Sequence, residues 1–220
     1  DSRLQPYVVS ASENVLEDIR MIVGSDYIQG LWIFDRNGAT TAVADRKVVD
    51  VGSQYPPEYT STYVKATSRN QAVNDAIYAT DPSTSLTGTA ASASWASVGG
   101  VSTNQRFHID LGTAKVIKKL YYENYHFSGI LTDFGVKTFT LWGSNTASSF
   151  AELTYATDTG WTQLTCSQAT FDQHVAADQA DPKYITVTNF TPYRYYAIKF
   201  ANNWGGVGFM GLRRIELQTN

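Results

Sequence analysis

An all-β jelly-roll sandwich preceded by a small helix-plus-hairpin appendage is the fold class that the sequence predicts. Three observations predict it. The stretch Arg106-Phe107-His108-Ile109-Asp110-Leu111-Gly112 alternates strictly. Phe107, Ile109 and Leu111 fall on one side, Arg106, His108 and Asp110 on the other, which is the period-two pattern of a half-buried strand. From residue 63 onward, short β-rich runs separated by turn residues follow one another without a convincing helical pattern, the mark of a sandwich or barrel. The composition agrees: 43 % of the 220 residues are hydrophobic, 13 % are aromatic and only 17 % are charged, against about 25 % charged in an average globular domain.

The appendage is expected over residues 1–62. Ser10 and Glu13 have capping-box spacing, and Val15, Ile19, Ile22 and Val23 recur at helical intervals, so a helix is expected over about 12–23 with Gly24 as its stop. A hairpin is expected over about 30–50, because the apolar run Gly30–Phe34 precedes Asn37-Gly38, a strong two-residue turn signal. Residues 52–62, with Pro56-Pro57, read as a linker. A piece this small needs a partner surface. It either packs on the sandwich or joins neighbouring copies into a homo-oligomer or larger assembly.

The sandwich is expected over 63–220. Its first strand is Val64–Ser68. A long irregular stretch follows over 70–104, rich in Ala, Ser, Thr and Gly, with Asp81-Pro82 and Trp95 inside it. Then come strands at Arg106–Leu111, Val116–Asn124, Lys137–Asn145, Trp161–Leu164, Tyr184–Phe190, Tyr193–Phe200 and Leu212–Gln218. In the third of these runs Val116, Lys118, Leu120 and Tyr122 share a face, and in the fourth Phe139 and Leu141 do.

Several function classes are excluded or disfavoured. Net charge is −3 with no block of like charge, so a nucleic-acid partner is not expected, since phosphate binding needs clustered Lys and Arg. No apolar run reaches the roughly 18 residues of a membrane helix. The chain opens on Asp1-Ser2-Arg3 without an apolar leader, as expected of a mature or excised product. Cys166 is the single cysteine, so no intrachain disulfide forms. Gly206-Val207-Gly208-Phe209-Met210-Gly211 matches a dinucleotide-binding spacing, but a strand follows it where that motif needs a helix. His108 with Asp110 lacks a nucleophile and reads as structural. His174, between Asp172 and Asp178, reads as solvated. No constellation points to an enzyme.

Five segments in order resemble discoidin modules, also called coagulation-factor type C domains. They are Trp95 followed by Phe107–Gly112; Phe139-Thr140-Leu141-Trp142-Gly143-Ser144-Asn145; Trp161-Thr162-Gln163-Leu164; Tyr195–Phe200; and Leu212-Arg213-Arg214-Ile215-Glu216-Leu217. The resemblance covers about 65–220 and implies a galactose-binding-like β-sandwich that serves as a binding module. It also implies a structural calcium ion, whose oxygen ligands would be Asp75 or Asp81 with Thr84 or Thr89 and Glu216. The family's short Asp-Gly-Asn loop is longer here and lacks its Gly. In sugar-binding relatives a His in an early loop and an aromatic in the last loop hold the ligand, which maps onto His126 and Trp204.

The residue types agree with that mapping. Asn124, Tyr125 and His126 enter one loop, and Asn202, Asn203 and Trp204 lie in another. Aromatic faces stack on sugar C–H groups, and amides and imidazoles bind hydroxyls. The function expected is a non-catalytic carbohydrate-binding or adhesion module for a glycan or cell-surface ligand, displayed on an extracellular or virion surface. The alternative is a purely structural subunit of a virus particle or surface filament, assembled through its N-terminal segment.

Overall fold

The computed structural model describes residues 52–220 and, before them, one pair of short strands. The chain divides into two compact units, Asp1–Val49 and Asp50–Asn220. In the first unit β1 (Ile33–Phe34) pairs antiparallel with β2 (Thr40–Thr41), the two bracketing Asn37-Gly38. The helix expected over 12–23 and the rest of residues 1–51 lie outside the described residues.

The second unit is one curled, ten-stranded sheet folded over a common core. Its strands are β3 (Ser53–Gln54), β4 (Val64–Ala66), β5 (Trp95–Ala96), β6 (Gln105–Lys115), β7 (Lys119–Asn124), β8 (Phe139–Ser144), β9 (Thr162–Cys166), β10 (Lys183–Thr188), β11 (Tyr193–Phe200) and β12 (Gly211–Gln218). The order across the sheet is β3-β12-β7-β10-β9-β8-β11-β6-β4, with β5 pairing β12 as well. All these strand pairings are antiparallel. β9 joins the two halves, pairing β8 on one side and β10 on the other.

β6 lies between β11 and β4, with Ile109 opposite Tyr196 and Phe107 opposite Ile198. Phe107, Ile109 and Leu111 enter the core as their alternation predicts, and Phe139 and Leu141 of β8 belong to the same core. Trp95 meets Phe107 edge-on (5.6 Å) and stacks on Phe200 (5.7 Å). Phe171 fills the other end of the core, 4.2 Å from the Tyr122 ring. Each such side chain contributes about 1.5–3 kcal/mol by leaving water.

The structure departs from the sequence reading in several places. Residues 53–54, inside the expected linker, form an edge strand against Leu217–Gln218. Two residues are too few to show a period. The alternation expected through Val116 breaks between β6 and β7, where Ile117 enters the core and Lys118 donates to Asn189 O. The outer face of β6 is buried too. Arg106 and His108 are covered by residues 145–161: Arg106 Nη1 reaches Asp158 Oδ1 (3.1 Å), and His108 Nδ1 donates to Phe150 O (3.0 Å). His174 is buried, not solvated, and stacks on His126 with ring centroids 4.0 Å apart.

Among the described residues no helix is long and apolar enough to cross a membrane.

Candidate functional site

Two loops meet at the end of the unit where β12 begins. One leaves β7 and runs over 125–138; the other joins β11 to β12. Val136 bridges Asn203, Trp204 N donates to Gly135 O (3.1 Å), and Gly206 N donates to Asp133 O (3.0 Å). Gly206 is required at this junction: a Cβ there would lie 2.8 Å from the Phe134 ring. The Phe134 ring in turn packs 4.4 Å from that of Phe209.

The six sequence-predicted ligand residues divide sharply. Asn124 is fully buried. Its Nδ2 donates to Val136 O and Asp172 O (2.8 Å each), and its Oδ1 accepts from Tyr125 N (2.9 Å). Tyr125 is buried edge-on against Phe209. His126 is buried with both ring nitrogens engaged: Nε2 donates to Leu86 O (2.9 Å) and Nδ1 accepts from Gly129 N (3.0 Å). Burial, aided by the cation of Arg213, pushes the His126 ring down to about 4. Asp178 Oδ1 lies 4.0 Å from Nδ1, but that nitrogen is an acceptor, so the contact is not an ion pair. Asn203 spends its amide on its own loop, donating to Gly206 O and Phe209 O and accepting from Gly205 N. The hydrogen bonds and ring contacts of these four side chains build the loops.

Asn202 and Trp204 remain. Asn202 is exposed; its Oδ1 accepts from Thr138 N (3.1 Å), and its Nδ2 has no partner among the described residues. Trp204 is half-buried, and its Nε1 donates to Phe171 O (3.1 Å). One further residue, not among the sequence-predicted ligand residues, borders it. Lys137 places Nζ 4.5 Å from the Trp204 ring centroid. Gln173, two residues beyond Phe171, donates to Thr132 Oγ1 (2.9 Å). The result is a partly open indole with an ammonium over its ring and the exposed Asn202 amide two residues before it. Two grooves, of about 380 and 350 Å³, lie elsewhere: one between diverging β8 and β9, the other along β4. Neither includes a residue of this platform.

The oxygen ligands implied for calcium do not fit a metal ion. Asp75 pairs with Arg69. Asp81 Oδ1 accepts from Ser83 N (2.9 Å) and Oγ (2.7 Å). Glu216 accepts from Arg214 Nη1 (3.3 Å) and Ser53 Oγ (2.6 Å). Arg214 Nη2 donates to Thr84 O (2.7 Å) and Oγ1 (3.1 Å). A guanidinium therefore already stands among the Thr84 and Glu216 oxygens. Among the described residues no three His, Cys, Asp or Glu side chains gather as a metal set. The neighbouring Arg213 serves the same loop. It donates to Ser85 O and Thr87 O (3.1 Å each) and to Gly88 O. Consecutive strand residues normally point to opposite faces. The β12 register slips between Leu212 and Arg214, and this bulge lets both arginines reach residues 84–88.

Among the described residues, none of the three histidine rings is hydrogen-bonded to a Ser, Thr or Cys side chain. Cys166 has its thiol pushed up to about 11 by burial, away from the reactive thiolate.

Solved structures similar to this chain include chitosan-binding module 1 of a chitosanase/glucanase from Paenibacillus sp. IK-5. It is 21 % identical, with 70 % of this chain and 92 % of that one covered at a TM-score of 0.45. Two others come from Clostridium perfringens. The family 32 module of NanJ, in complex with galactose, is 14 % identical over 76 % of this chain and 98 % of its own, with a TM-score of 0.49. A second module, in complex with GalNAc-β-1,3-galactose, is 15 % identical over 70 % and 93 %, also with a TM-score of 0.49. No curated protein sequence matches the chain. Over residues 85–218, more than half its length, the chain matches the model of the DUF5000 family, described as a domain of unknown function, and it belongs to that family.

Proposed function

We propose that the Asp50–Asn220 unit is a non-catalytic carbohydrate-binding module whose ligand stacks on Trp204. The observation that carries this reading is an indole fixed at two points yet only half-buried. Its backbone N–H and its ring N–H are both satisfied, by Gly135 O and Phe171 O. Trp95 has its ring N–H satisfied by Ser68 O too, but is wholly enclosed. A rigid aromatic surface left partly open, near the exposed amide of Asn202, suits the C–H face and hydroxyls of a sugar. The resemblance to discoidin modules favours the same role.

A platform this open binds each sugar weakly, so useful affinity comes from several copies displayed together. Extracellular or virion-surface display is the setting that this reading implies.

The test is a glycan array probed with the full 220-residue chain and its Trp204→Ala variant. Losing the stacking surface is expected to weaken binding about tenfold, from roughly 1.5 kcal/mol of lost contact, with thermal unfolding little changed. Undiminished glycan binding by Trp204→Ala overturns the site.

A further inference from the structure

We propose that the Trp204 platform selects anionic sugars, those bearing a carboxylate or a sulfate. This rests on the carbohydrate-binding reading and adds the charge of the ligand to it. Lys137 is the observation behind it. Its ammonium lies 4.5 Å from the Trp204 ring centroid and forms no ion pair among the described residues. Lys65 and Lys119 also sit over rings, of Phe150 (4.7 Å) and Tyr184 (5.8 Å), away from this platform, and three other lysines have polar partners. Lys183 is paired with Asp181, Lys199 with Asp158 (2.9 and 3.0 Å), and Lys118 with the carbonyl of Asn189.

The position of Lys137 is fixed by its backbone. Its N–H donates to Asn202 O (2.9 Å) and its carbonyl accepts from Phe171 N (2.8 Å). These bonds hold it between the two residues that flank and anchor the indole. The four-carbon stem leaves the ammonium free to move from the ring face to its rim. An arriving anion gives that ammonium an ion pair beside a low-dielectric aromatic surface. A neutral sugar must push it off the ring and offers no charge in return, forfeiting the cation–π contact. Asp133, four residues before Lys137, forms no ion pair with it among the described residues, and Asp172, beside Phe171, accepts at Oδ2 from Tyr122 OH (3.3 Å). The chain's net charge of −3 supplies no long-range attraction for anions, so the selection is local and weakens with added salt.

The experiment uses the full chain and acidic oligosaccharides as matched pairs: galacturonate, glucuronate, mannuronate and sialic acid glycans, each as the free acid and as its methyl ester. Sulfated and desulfated galactans form a second arm that separates carboxylate from sulfate recognition. The expected result is binding concentrated among the charged members, with esterification or desulfation weakening it about five- to tenfold. Lys137→Met is expected to impose the same loss on charged ligands and less than about twofold on neutral ones, and Lys137→Arg to retain charged-ligand binding. Circular dichroism checks that both variants are folded. Equal binding of acids and esters, or an equal loss of both in Lys137→Met, overturns the charge selection. If neutral glycans bind through Trp204 and acids bind no better, only this inference falls. If no glycan of either kind binds, the carbohydrate-binding reading falls with it.

Discussion

Arg213 Nε donates to the main-chain carbonyl of His126 at 3.1 Å. The same guanidinium also holds three carbonyls of the 85–88 segment. One fully buried side chain on β12 thus ties together the long irregular stretch and the loop that leaves β7. Arg213→Met keeps the aliphatic volume and strips four carbonyls of their donor. A loss of about 3–5 kcal/mol is expected, because buried acceptors left unsatisfied cost about 1–3 kcal/mol each before relaxation. Urea titration would show it as a lower midpoint at unchanged slope. Lysine at the same position is expected to recover little, since an ammonium cannot fan out to four acceptors.

Chelation is expected to leave stability unchanged. A metal bound only to the folded chain would raise the melting temperature by mass action. With Arg214 between Thr84 and Glu216, neither excess EDTA nor millimolar calcium is expected to move the calorimetric midpoint by more than about 1 °C. A calcium-dependent rise would restore the metal site.

Acid is expected to destabilise the fold through two buried rings. His108 and His126 are both pushed down to about 4, chiefly by burial. In the unfolded chain each titrates near 6.5, so between pH 6.5 and 4 the unfolded state binds more protons. Stability from these rings is complete above pH 6.5 and is lost as pH falls towards 4, by up to about 3 kcal/mol each. Denaturant unfolding at pH 7 and pH 4.5 measures the difference. His126→Gln, which can still donate and accept, is expected to flatten the profile by about half.

Asn124→Ala is expected to cost about 3 kcal/mol while leaving ligand preference intact. It orphans Val136 O, Asp172 O and Tyr125 N, all held by one amide. If Asn124 instead touched ligand, binding would fall in proportion without a matching loss of stability. Thermal unfolding and glycan titration of the same preparation separate the two.

The core face of β6 was legible because Phe107, Ile109 and Leu111 repeat at the period of a strand, and a buried face enforces that register. What covers the other face was not legible. Arg106 and His108 look like surface residues until residues 145–161 fold across them. The same limit explains His126 and His174. Their chemistry suits a binding site, but whether an imidazole nitrogen is free depends on Leu86, Gly129, Val175 and Gln179, which no local pattern connects to them. Trp204 was proposed from residue type, loop position and the resemblance to discoidin modules, and the structure leaves its indole half-buried. Lys137 was missed because it was read as the opening of a strand. The bridge of Val136 to Asn203, which sets it beside the indole, is a pairing between distant segments. β3 and β5 were missed for a plainer reason: two residues cannot display a period.

The edge pair β3–β12 sets how the unit answers tension. Ser53 lies opposite Gln218, and Thr219 N donates to Gly52 O, so the polypeptide enters and leaves the unit side by side. The loops around Trp204 lie at the far end of β12, whose eight residues span about 25 Å. A pull between the two ends would peel this pair apart one hydrogen bond at a time, the weakest way to load a ladder. A pull between the platform and either end would instead run along β12 and be shared by its whole row of bonds to β7. The unit is therefore expected to resist force better between the Trp204 loops and its ends than between the two ends themselves.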